Sequence, residues 1–120
     1  MKPELMDGEY VFCTIQREDL QKVNPDALGI FQEKEGATLI LKKEIAEKNN
    51  YSYRGIWSLI TCTVHSDLSA VGFLAAITGK LARAGISVNV VSACYHDHLF
   101  VPVEKASRAL EILKKFSRAR

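Results

Sequence analysis

The chain has 120 residues, 48% hydrophobic and 25% charged, enough apolar material for one compact domain or two small modules sharing a core. Its net charge of +2 argues against a nucleic-acid surface, and the one basic run, Lys114-Lys115 to Arg118 and Arg120, suits the end of a helix. No apolar segment follows Lys2 as in a signal peptide, and Cys13, Cys62 and Cys94 lie in strand-like runs without zinc spacing, which implies buried thiols and a cytoplasmic location.

In chain order, Glu9–Gln16 reads as a strand bounded by Asp7-Gly8. Gly29–Lys34 and Ala37–Lys43 read as two short strands joined by a turn at Glu35-Gly36, and Glu44–Asn49 as a helical turn. A strand is expected over Ile56–Val64, followed by a very apolar helix, Leu68–Ala84, ended by Gly85. Next come a strand, Ile86–Cys94, a loop at Tyr95–Asp97 and a strand, His98–Val103, in which Pro102 marks an end or an edge. Ala106, Ala109, Leu110, Leu113 and Phe116 follow helical spacing and define a last helix, Glu104–Phe116.

The two halves repeat one plan. Val11-Phe12-Cys13-Thr14-Ile15 parallels Ile60-Thr61-Cys62-Thr63-Val64, and Ala27-Leu28-Gly29-Ile30 parallels Arg83-Ala84-Gly85-Ile86. Leu39-Ile40-Leu41 likewise parallels Leu99-Phe100-Val101. In the first half the connector Arg17–Asp26, broken by Pro25, is too short for a full helix. The helix after Asp67 carries only Lys80 and Arg83 as charges, so it needs cover on a second side, and Gly72 and Gly79 permit a neighbour to come close.

Chemistry concentrates at the strand-to-helix junction. His65, Ser66 and Asp67 stand just ahead of the apolar helix, whose first N–H groups lack partners and carry partial positive charge. N–H groups around Ser69–Val71 can hold an α-carboxylate while Asp67 or Asn89 pairs with an α-ammonium. The simpler alternative is that Ser66 or Asp67 caps the helix, worth about 1 kcal/mol.

GEYVFCT at Gly8–Thr14, FQEKEGATLIL at Phe31–Leu41, TVHSDLSAVGFLAAI at Thr63–Ile77 and ISVNVVSACYHDHLFVPV at Ile86–Val103 resemble small stand-alone proteins with two tandem ACT-like units, related to aspartokinase regulatory regions. The resemblance implies an α+β fold of two ferredoxin-like βαββαβ units with antiparallel sheets, residues 1–54 and 55–120, the first degenerate in its first helix. It also implies a non-enzymatic regulatory role, an amino-acid effector held at an interface between units or subunits, a homodimer and a regulated protein in trans. The residues it points to for the ligand are His65, Ser66, Asp67, Leu68, Ser69, Ala70, Gly72 and Asn89. Ala70-Val71 stands where the family has a Pro-Gly pair, and no strand follows the last helix, so the N-terminal strand or a partner must complete the sheet.

Other readings carry less. His96 and His98 can reach one metal ion from one face of an extended segment, with His65 as a third donor, yet a hairpin loop explains their polarity more simply. Cys62 and Cys94 neighbour histidines, but mid-strand thiols are ordinarily inert. Glu33 and Glu35 read as a solvated turn. No cofactor, metal, nucleic acid or membrane is expected; the alternative functions are a ligand-free interaction module and a metal-dependent enzyme using His96 and His98.

Overall fold

The computed structural model describes residues 1–23, 25–63 and 72–118. They form two compact units: Gly8–Trp57, and Met1–Asp7 together with Ser58–Arg120. Both combine antiparallel strands with helices, as the α+β expectation requires.

The unit of Gly8–Trp57 is built on β2 (Tyr10–Ile15), β3 (Gly29–Gln32) and β4 (Ala37–Lys42), in the order β3-β4-β2. β2 and β4 pair in antiparallel register from Tyr10↔Lys42 to Ile15↔Ala37. Val11, Cys13, Leu39 and Leu41 alternate onto one face and pack with Ala46 of α1 (Lys43–Lys48). Where a full helix would cross over from β2 there is a 3-10 turn, Arg17–Lys22, with no buried residue. The connector is as short as the sequence implied. The β3–β4 turn closes with Glu33 N–H donating to the Gly36 carbonyl at 2.7 Å. Gly36 is needed there because a Cβ would stand 2.7 Å from the Ile15 carbonyl oxygen.

The other unit has the order β1-β5-β7-β6, from β1 (Lys2–Leu5), β5 (Trp57–Thr63), β6 (Asn89–Ser92) and β7 (His96–Pro102). Two helices, α2 (Phe73–Arg83) and α3 (Ala106–Arg118), cover one face. Ile60, Cys62, Leu99 and Val101 from the sheet meet Phe73, Ile77 and Leu81 of α2 and Ala106, Ala109 and Leu113 of α3. A 3-10 turn, Val103–Lys105, delays the start of α3.

The strand that completes this sheet is Lys2–Leu5, not the expected strand over Glu9–Gln16. It pairs antiparallel with β5 from Lys2↔Thr63 to Leu5↔Ile60, and Pro3 turns inward opposite Cys62. Pro is tolerated because β1 is an edge strand.

Two further expectations change. The helix does not run unbroken from Leu68: Gly72 has φ 90° and α2 begins at Phe73. Cys94 is exposed, because β6 ends at Ser92 and the Ala93 N–H closes a hairpin onto the His96 carbonyl at 3.0 Å. Cys13 and Cys62 are buried as expected.

Candidate functional site

The candidate site lies where β5 ends and α2 begins. Of the residues singled out in the sequence, His65, Ser66, Asp67, Leu68, Ser69 and Ala70 lie outside the described residues. Gly72 is described, in the left-handed conformation that glycine adopts without strain, and nothing stands within 4 Å of where its Cβ would be. The first helical bond in α2 runs from Ala76 N–H to the Gly72 carbonyl at 2.9 Å. The N–H groups of Phe73, Leu74 and Ala75 therefore have no partner within the helix. The Ser69–Val71 N–H groups expected to hold an anion lie outside the described residues.

Phe73, Ile77 and Leu81, spaced four apart, bury one stripe of α2. Its outward face combines small residues with two cations: Ala75, Ala76, Lys80, Ala82 and Arg83 are exposed. A Cβ on Gly79 would meet the Arg83 guanidinium at 3.5 Å.

Asn89 opens β6 opposite Phe100. Thr63, the last described residue before the junction, places Oγ1 3.4 Å from His96 Nδ1, four residues along β7 from Phe100. At about 3.3 Å per residue, Asn89 stands roughly 13 Å along the sheet from the junction. Within this unit Asn89 and Thr63 are at opposite ends of the strands.

Alternation along β5 and β7 puts Thr61, Thr63, His96 and His98 on the face opposite the helices, since Ile60, Cys62, Leu99 and Val101 face the helices. Thr61 Oγ1 lies 3.0 Å from His98 Nδ1, and the two imidazole centres are 6.0 Å apart at 83°. His96 and Asp97 belong to β7 rather than to a loop: Asp97 pairs with Ser92, whose hydroxyl donates to its carboxylate at 2.7 Å. The threonines escaped the sequence reading, because a Thr on a strand carries no signal until its cross-strand partner is known. Burial, with His96 close by, lowers the His98 pKa below its ordinary value against the opposing pull of Asp97.

The thiols divide sharply. Burial first, then the Asp97 charge, pushes Cys62 up to about 11 from an ordinary 9.0, and burial alone raises Cys13. Native protein at pH 8 is expected to expose one thiol to a disulfide reagent, Cys94, and Cys94→Ser to abolish the fast phase. Because the folded pKa of Cys62 is raised, its stabilisation is full below about pH 9 and is lost as pH rises through 11. A urea midpoint that falls across that window in wild type, and falls less in Cys62→Ala, checks the sign.

Two ACT-domain matches divide the chain, one over residues 1–58 and one over 53–115. The chain belongs to the ACT-domain family. This tandem ACT protein is 45% identical to the Vibrio cholerae protein VC0802, described as of unknown function and a possible transport protein. That match covers 96% of this chain and 88% of the other, with a TM-score of 0.85. Agrobacterium tumefaciens Atu0741 shares the fold at 17% identity and a TM-score of 0.73, covering 94% of this chain and 86% of its own. The ligand-free regulatory subunit of aspartate kinase from Thermus thermophilus does so at 12% identity and a TM-score of 0.70, with 96% and 97% covered. Comparison with curated proteins gave no match. ACT domains are regulatory rather than catalytic units, and no helix among the described residues is long and apolar enough to cross a membrane.

Proposed function

We propose that this tandem ACT protein is a non-enzymatic, cytoplasmic sensor of a free amino acid. The observation that carries the reading is the pair of ACT units in one chain, in the architecture of an aspartate kinase regulatory subunit. The effector binds at the start of α2 among His65, Ser66, Asp67, Leu68, Ser69, Ala70 and Gly72, with its α-carboxylate on the backbone N–H groups there, those of Phe73–Ala75 included. Asp67 or Asn89 takes the α-ammonium.

Asn89 and the junction are too far apart within one unit for a single amino acid to touch both. A pocket that uses both draws Asn89 from a second ACT module, so the reading includes a homodimer. The edge strand β6 and the outward face of α2 suit such a contact. Occupancy favours one arrangement of the modules, and a partner protein reads it in trans.

A thermal-shift screen with the common amino acids tests this. An effector at 100 times its Kd stabilises the fold by about 2.7 kcal/mol. Asp67→Ala and Asn89→Ala are expected to abolish the shift, and sedimentation to show a dimer whose population responds to the same effector. A melt that no amino acid moves, with a dimer indifferent to all of them, removes the sensor and leaves an interaction module.

A further inference from the structure

His96 and His98 lie on regular strand, two residues apart, and therefore project from one face of β7. The hairpin-loop account of their polarity fails, because the loop ends before them. Each ring is held from the neighbouring strand: Thr61 Oγ1 is 3.0 Å from His98 Nδ1, and Thr63 Oγ1 is 3.4 Å from His96 Nδ1. With both Nδ1 atoms engaged, the Nε2 atoms are the ring nitrogens left to act as donors to an external species. No other hydrogen bond to either ring occurs among the described residues.

We infer that His96 and His98 form a two-imidazole site for a borderline divalent cation of the Zn²⁺, Ni²⁺, Cu²⁺ class, with Thr61 and Thr63 as positioning residues. The ring separation suits one ion. Two imidazoles sharing a cation at about 2.0–2.1 Å from each nitrogen have ring centres about 5–6 Å apart, against the 6.0 Å seen here. The threonine hydroxyls play the part of the outer hydrogen-bond partners that fix the tautomer and orientation of metal-bound histidines. Among the described residues no cluster of three His, Cys, Asp or Glu converges, so water or an external donor fills the remaining positions. Such a site is open and exchangeable. Imidazole nitrogen selects borderline ions over Mg²⁺ and Ca²⁺, which prefer oxygen.

The test is titration of chelator-treated full chain with Zn²⁺ alone, by calorimetry, with Mg²⁺ as the contrast. One saturable Zn²⁺ equivalent is expected, lost in His96→Gln and in His98→Gln, while Mg²⁺ gives no heat. Thr61→Val and Thr63→Val are expected to weaken Zn²⁺ by ten-fold or more without removing it. A second measurement guards against misfolded variants: in the unaltered chain, Zn²⁺ must shift the ring-nitrogen resonances of His96 and His98 together, at one equivalent. Absence of saturable binding overturns the proposal. So does binding that survives both histidine substitutions, or that leaves the two rings unshifted.

Discussion

A chain lacking residues 1–6 is expected to lose roughly 3–5 kcal/mol from the unit that contains α2 and α3, a large share of the 5–15 kcal/mol that stabilises a typical domain. Four register pairs join β1 to β5, and Met6 N–H adds a bond to the Leu59 carbonyl at 2.9 Å. Ladder bonds contribute about 1 kcal/mol each. The side chains add burial: Pro3 is buried, Met1 packs against the core of this unit, and the Met1 carbonyl accepts a bond from the Ser117 hydroxyl. Deletion also uncovers the edge of β5, a row of unpaired backbone groups open to aggregation. Urea unfolding followed by circular dichroism gives the loss, and a peptide of residues 1–7 added in trans is expected to restore part of it. A truncated chain within about 1 kcal/mol of wild type would make β1 an accessory.

Leu81→Ala is the largest single-residue effect expected, about 2–5 kcal/mol. Leu81 is fully buried, on the stripe with Phe73 and Ile77, in one cluster with Ile60 and Leu113. Its carbonyl also accepts the Ile86 N–H at 2.9 Å, so the side chain anchors the point where the helix turns back to the sheet. Truncation leaves a cavity among branched aliphatic neighbours that cannot close fully. Leu81→Met, which nearly conserves volume, is expected to cost under about 1.5 kcal/mol, and Ala82→Ser on the exposed face under about 0.5. Equal losses for Leu81→Ala and Ala82→Ser in urea midpoints would contradict the packing described.

The strands with two-residue alternation were legible from the residues: β2 and β4 set Val11 and Cys13, and Ala37, Leu39 and Leu41, inward at every second position, whereas β7 read as a strand from its continuous apolar run Leu99-Phe100-Val101. The last helix was equally readable from Ala109, Leu113 and Phe116. β1 was not, because four residues containing Pro3 show no alternation of their own, and only the edge of β5 makes them a strand. The start of α2 was misplaced for a related reason. Helical periodicity extends through Val71 and Gly72, and nothing in a pattern of apolar residues reveals that Gly72 takes a positive φ. At the site, Gly72 and Asn89 were nameable as residues, but their separation along the sheet depends on the pairing of β6 with β7. Thr61 and Thr63 became visible only once β5 was set beside β7.

The placement of β1 has a consequence for how the chain is made. β1 packs with α3, and Met1 meets Ser117 across 116 positions of sequence. Gly8–Trp57 is thus an insertion within a discontinuous unit, free to fold while synthesis continues. Lys2–Leu5 must wait, unpaired, for partners that lie about sixty residues further along the chain. Contacts this distant in sequence slow folding, so the discontinuous unit is set to complete after the contiguous one.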